Sequence, residues 1–333
     1  MTTDAPIDAI VLNLPKDLGD CLLSVPAIAQ LRDYAAKEGI PLVAVGSARS
    51  RDWVETLGGF RLETREGDAL LALAPRFAVN LNFYDPYTLG KTFPDAPVYA
   101  PEKLRVLEND ERDFGAGAVI GKKHVSLLLQ DMLQDMGVLG INQKLPPPQL
   151  PSDMLSESAI DAVKTKFGIA GKYALLVPVA AANRPLKKWP KENYAEVAAH
   201  MLARGITPVL LGGPSAEEKA LCAEIAAMTG GRVVDVSGQT SLPEIAALAK
   251  GAQLTLGNDT GPTHIAAATG APVFAFFGYY SDPATWKPIT PNNSALVLTG
   301  KPVPQITVAE TLQALGTVLE KPQTPALAFR VSA

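Results

Sequence analysis

Short unbroken apolar runs alternate along this chain with longer stretches in which apolar residues recur every three or four positions. The runs read as strands of a parallel sheet covered on both faces, the longer stretches as amphipathic helices. In the first half this predicts a strand at 7–12, a helix at 20–37, a strand at 41–45, a short helix at 51–57, a helical piece at 69–73 and a strand at 77–82. Pro26 falls inside the first helix and predicts a late start or a kink. Residues 83–121, rich in Pro, Gly and aromatics, show no period and are expected to be irregular. Helical periodicity returns at 124–136 and stops at Gly137.

After the proline-rich run 144–151, which reads as a stiff extended linker, the scheme repeats more cleanly. Helices are expected at 157–166, 192–203, 216–228, 242–249, 260–269 and 308–319, and strands at 173–179, 207–211, 233–235, 254–256, 273–277 and 295–298. The tail, 321–333, carries no period. Strand–helix alternation in both halves means α/β architecture with a doubly wound parallel sheet in each of two domains, 1–150 and 151–333. Neither half has G-x-G-x-x-G after a strand, which argues against a dinucleotide redox cofactor, and no cofactor is expected.

Composition narrows the picture. At 333 residues the chain can hold two cores, and 47% hydrophobic against 19% charged residues means a globular protein. A net charge of −4 gives no sign of a general nucleic-acid binder. No 18-residue apolar run is present, and no basic segment precedes the first apolar stretch, so neither a membrane span nor a signal peptide is expected. Cys21 and Cys222 lack metal-ligand spacing and read as structural thiols, and His124, His200 and His264 stand in separate segments. A reduced, cytoplasmic compartment fits.

The chemistry concentrates in Leu254–Gly278. There a strand turns through Gly257-Asn258-Asp259 into a helix at Thr260 that Gly270 stops. Asp259 or Thr260 can cap that helix, leaving the N–H groups of Gly261, Thr263 and His264 to face a ligand. Free amides at the positive end of a helix dipole suit a phosphate, and the ordinary reading is a plain N-capped turn that binds nothing. In the first half, Gly19-Asp20 lies where the first strand feeds its helix; Asp20 can serve as a base toward a hydroxyl or simply cap the helix.

The pattern Asp259-Thr260-Gly261-Pro262-Thr263-His264, Ala266, Ala268, Gly270, Pro272, Phe277, Gly278 resembles the donor-binding segment of the heptosyltransferase-like glycosyltransferases, family 9, the ADP-heptose:lipopolysaccharide heptosyltransferase family. Asp20, Pro26 and Leu31-Arg32 resemble a second family segment, and Lys187-Lys188-Trp189-Pro190 its K-x-W-P segment. The resemblance implies the GT-B fold, two Rossmann-like domains facing a cleft. It also implies an inverting, metal-independent transfer of a sugar from a nucleotide-diphospho-sugar, with ADP-heptose favoured, to a lipid-linked lipopolysaccharide-core or related glycan.

Under that resemblance Asp20 is the catalytic base. Lys187, Glu217, Asp259, Thr260, Gly261 and His264 bind the donor, and no metal site is expected, since no D-x-D pair stands near. Lys16, Asn82 and His124 fall on the acceptor side. The plainer alternatives are a solvated Lys188, a Trp189 that packs rather than stacks on a base, a Glu217 that only complements a helix dipole, and a His124 that only starts a helix. The turn Ser237–Leu242 is expected near the base. Two departures stand out: Asn13-Leu14-Pro15-Lys16-Asp17 replaces the family's basic and serine residues, and Asn80-Leu81-Asn82 replaces Asp-Leu-Gln. They keep open a non-catalytic nucleotide-sugar or carbohydrate binder, and a nucleotide-sugar epimerase on the same fold is a separate alternative. A lipid-linked acceptor implies peripheral work at the inner face of the cytoplasmic membrane.

Overall fold

The computed structural model describes residues 7–65, 68–82, 88–101, 123–180, 184–278, 281–291 and 295–319. The chain divides into two units, Met1–Pro148 and Gln149–Ala333.

The first unit contains β1 (Ile7–Asn13), α1 (Leu18–Glu38), β2 (Leu42–Val45), α2 (Ala48–Gly58), α3 (Asp68–Leu71), β3 (Leu73–Asn80), α4 (Thr88–Thr92), β4 (Val98–Tyr99) and α5 (Val125–Asp135). The strands form one parallel sheet in the order β2-β1-β3-β4. From Ala9 onward β1 is fully covered, as its unbroken apolar run requires. Ala9, Val11, Val43, Leu73 and Ala78 share one core with Leu89 and Phe93.

Two expectations need correction here. The described part of 83–121 is not irregular: α4 carries Leu89 into the core, and β4 pairs Val98 with Ala78 and Tyr99 with Val79. A two-residue strand has no period to read; its pairing with β3 defines it. Residues 83–87 and 102–121 lie outside the described residues. Of the late start or kink expected from Pro26, the late start does not occur. The first helix begins at Leu18 and runs through Pro26 for 21 residues. The lost N–H bond is local, whereas Leu22, Leu23, Ile28 and Leu31 hold the helix in the core on both sides of it.

The second unit contains α6 (Glu157–Lys166), β5 (Tyr173–Val177), α7 (Lys191–Leu202), β6 (Thr207–Leu210), α8 (Ala216–Met228), β7 (Val234–Asp235), α9 (Leu242–Gly251), β8 (Thr255–Asn258), α10 (Gly261–Ala268), β9 (Val273–Phe276), α11 (Pro283–Trp286), β10 (Ala295–Leu298) and α12 (Val308–Leu319). Its sheet is parallel, ordered β10-β9-β8-β5-β6-β7. Alternation along β5 sorts the layers. Leu176 enters a core with Tyr194, Val197 and Met201 of α7, Cys222 and Ile225 of α8 and Leu315 of α12. Tyr173 points the other way and donates its hydroxyl to the Leu248 carbonyl of α9 at 2.8 Å. Helices therefore cover both faces, as in a doubly wound sheet.

In each sheet the strand order reverses once, between β1 and β3 and between β5 and β8. Open α/β sheets hold their ligands at the carboxyl ends of the strands beside such a reversal. Among the described residues no helix is long and apolar enough to cross a membrane. The tail expected to be irregular, 321–333, lies outside the described residues.

Candidate functional site

The reversal in the second sheet brings the end of β8 against the exit of β5, and Asn258 closes the gap. Its fully buried side chain donates to the Pro178 carbonyl at 2.8 Å and accepts the Trp189 amide at 3.0 Å. Trp189 is buried, stacks on Phe276 with ring centroids 4.4 Å apart, and donates its indole N–H to the Ile306 carbonyl. It packs, and so is withdrawn from any nucleobase. The loop before α7 is thereby pinned to the strand that launches α10. Gly257 is required in this seat, because a Cβ there would lie 2.7 Å from both Thr263 Oγ1 and Val177 Cβ.

At the start of α10, Thr260 holds the N-cap position in extended conformation, and no side chain caps the helix. The expectation that Asp259 or Thr260 caps through its side chain is therefore corrected. So is the expectation of free Thr263 and His264 amides, both of which bond the Thr260 carbonyl, at 3.0 and 3.2 Å. The reason is ordinary helix closure: those amides lie far enough along to reach the N-cap carbonyl. Among the described residues the amides of Thr260 and Gly261 meet no acceptor.

Asp259 is occupied elsewhere. Lys187, at the end of a 3₁₀ turn from Pro185, is buried and places Nζ 2.8 Å from Asp259 Oδ2 and 2.7 Å from Ser281 Oγ. Ser281 Oγ in turn donates to the same Oδ2, and His264 Nε2 lies 3.2 Å from Oδ1. Burial pushes the Asp259 carboxyl up, but the Lys187 charge and the His264 and Lys187 hydrogen bonds overcome it and hold the group well below the usual carboxylate range. His264 is 5% exposed, and its Nδ1 is buried without a partner. The site thus presents two bare amides, a buried ammonium with two of its three protons committed, and one unsatisfied ring nitrogen.

Around this centre, Ser215 caps α8 by accepting the Glu218 amide. Glu217 is exposed and pairs with Lys188 Nζ at 2.9 Å, so Lys188 is not the freely solvated lysine its loop suggested. The Ser237–Leu242 turn packs onto the loop after β6, where the Gly238 amide bonds the Gly212 carbonyl. Ser281 escaped the sequence reading. Its only signal was position: it follows Phe277-Gly278 at the same strand edge, with Asp282 capping α11 next to it.

The first unit gathers buried polar groups at its own reversal. Asn13 donates to Asn80 Oδ1 at 3.0 Å, joining the ends of β1 and β3, and the Asn82 amide reaches the same oxygen at 3.1 Å. Asp20 is buried in the first turn of α1, while Asp17 holds the N-cap position. His124 is the N-cap of α5, its Nδ1 accepting the Ser126 amide at 3.1 Å, and Lys16 is exposed. Cys21 and Cys222 are free and buried; burial pushes both thiols up, Cys222 to about 12, so neither is a ready nucleophile.

Residues 122–315 match the model of glycosyltransferase family 9 (heptosyltransferase). The chain is 35% identical over 127 residues to lipopolysaccharide heptosyltransferase 3 of Escherichia coli K12, an alignment covering 38% of this chain and 36% of that one. The chain spans about a third of the length of such curated relatives. Its fold is similar to that of the E. coli ADP-heptose lipopolysaccharide heptosyltransferase II, with TM-score 0.70 and 21% identity over 93% of this chain and 98% of the other. It is also similar to an E. coli heptosyltransferase solved with ADP, with TM-score 0.61 and 16% identity over 93% and 99%. Two parallel-sheet units of this kind are the GT-B architecture. With a family model spanning more than half its length, the chain belongs to glycosyltransferase family 9.

Proposed function

We propose that the chain is an inverting, metal-independent glycosyltransferase that moves heptose from ADP-heptose onto a lipopolysaccharide-core or related glycan. The observation that carries this reading is the pair of amides at Thr260 and Gly261 that meet no acceptor among the described residues, beside the buried ammonium of Lys187. Those donors suit a diphosphate, whose charge grows as it leaves the anomeric carbon. Fixed dipoles and a fixed cation aimed at developing charge make the largest contribution to many enzymatic rates.

In this reading the acceptor hydroxyl attacks the anomeric carbon, the bond from that carbon to the diphosphate oxygen breaks, and ADP departs with the bonding pair. The hydroxyl proton passes to Asp20. A single displacement inverts the anomeric centre. Thr260, Gly261, Lys187 and His264 bind the diphosphate. Asp259 does not touch it; its carboxylate would repel phosphate, and its role is to hold Lys187 and His264 in place. Glu217, tied to Lys188, is proposed to meet the ribose. Lys16, Asn82 and His124 belong to the acceptor side, with His124 acting through the start of α5. An acceptor carried on lipid places the reaction at the inner face of the cytoplasmic membrane.

The test is turnover of ADP-heptose with a lipopolysaccharide-core acceptor, in the presence and absence of EDTA. Transfer should be unchanged by the chelator, and donor alone should be left intact. Loss of transfer in EDTA would remove the metal-independent mechanism, and conversion of donor without acceptor would indicate an epimerase.

A further inference from the structure

The residue that the family segments do not cover is the one that completes the charge centre. Ser281 is 5% exposed and lies 22 positions from Asp259, in the loop between β9 and α11. Its hydroxyl accepts one Lys187 proton at 2.7 Å and donates to Asp259 Oδ2, while Lys187 donates to that same oxygen at 2.8 Å. The three groups close a triangle. A serine hydroxyl has one proton and two lone pairs, so a single atom satisfies both ends of the ion pair.

Geometry gives the triangle a consequence. A lysine ammonium is a point charge on a four-carbon stem and can swing about a single carboxylate. Two fixed acceptors at 2.8 and 2.7 Å hold its orientation, so its third proton has one direction left. Ser281 itself is held by its own amide, which bonds the Gly278 carbonyl at 3.1 Å, and Gly278 is closely packed, since a Cβ there would lie 3.0 Å from the Val303 amide nitrogen.

We propose that Ser281 is a positioning residue for the donor diphosphate, acting through Lys187 by fixing where its free proton points. The proposal rests on reading this site as a nucleotide-diphosphate site. In this role Ser281 is not a catalytic residue; the groups it touches are Lys187 and Asp259.

The experiment is a double-mutant cycle read by calorimetric titration with ADP, using Lys187→Ala, Ser281→Ala and the double variant of the full chain. Ser281→Ala should weaken ADP roughly tenfold, since a hydrogen bond to a charged group is removed from the cation that meets the ligand. Ser281→Thr, which keeps the hydroxyl, should bind ADP like the parent. In the Lys187→Ala background the same serine change should have no further effect. Additive losses, or a silent Ser281→Ala beside a weakened Lys187→Ala, overturn the positioning role. If Lys187→Ala itself binds ADP undiminished, it is the underlying reading of the site that fails. Should Ser281→Ala not fold, Ser281→Cys takes its place, with nearly the same volume and a weak donor. It should lose most of the same affinity, and undiminished ADP binding by it would overturn the proposal.

Discussion

Lys187 and Asp259 form a buried pair with side chains 11% and 10% exposed, and each makes the other tolerable. Removing the cation alone leaves a carboxylate in a desolvated place. Lys187→Ala should therefore cost about 3–5 kcal/mol of stability, measured by denaturant unfolding, besides weakening ADP. The depressed native pKa of Asp259 has a definite sign. Between that depressed value and the ordinary carboxylate value the unfolded chain binds the extra proton. The pair's contribution is then fully present above about pH 4 and lost as pH falls below it. Asp259→Asn should flatten the acid limb of a stability–pH curve; an unchanged limb would mean that other carboxylates dominate it. At Asp20 the expectation is kinetic. Asp20→Asn should lower kcat by roughly 10²–10⁴-fold while ADP binding persists, because Asp20 is proposed as a general base toward the acceptor and not the donor.

At the scale of single elements, the site depends on how α10 is seated on β8. Gly257→Ala puts a methyl where Thr263 and Val177 already stand, which should destabilise by about 1–3 kcal/mol and displace the Thr260 and Gly261 amides. Both the melting temperature and ADP affinity should fall; a drop in one alone would separate the seat from the site. For comparison, α9 begins with a capping box, in which Ser241 and Glu244 satisfy each other's amides and Lys166 pairs with Glu244 at 2.6 Å. Ser241→Ala should cost about 1 kcal/mol, measured by denaturant unfolding. Long periodic elements of this kind were plain in the sequence; α6, α8, β10 and α12 match the expected spans end to end. What escaped were short pieces such as β4 and the 3₁₀ turn under Lys187, where three residues carry too little pattern to read.

As a whole, the molecule has two units with separate sheets and separate apolar clusters. Every donor-side residue named above lies in 149–333. That segment expressed alone should fold cooperatively and bind ADP with the Kd of the full chain, while showing no transfer, since the proposed base, Asp20, lies in the first unit. Failure of the segment to bind ADP would mean that the first unit supplies part of the nucleotide site.

Composition and pattern alone were enough to show a globular α/β chain and two doubly wound sheets, and to single out the turn at Asp259–Gly261 as the candidate seat of a phosphate. Those features are local, since strand and helix periods and a glycine turn into a helix are each written in consecutive residues. Only the tertiary structure decided which first-turn amides stay bare, that Asp259 faces a lysine and a histidine instead of capping, and that Ser281 completes the charge centre. Those outcomes depend on which strand ends lie side by side. Lys187, Asp259 and Ser281 come from three loops that parallel-sheet order brings to one edge, and burial there requires the charges to be paired and hydrogen-bonded.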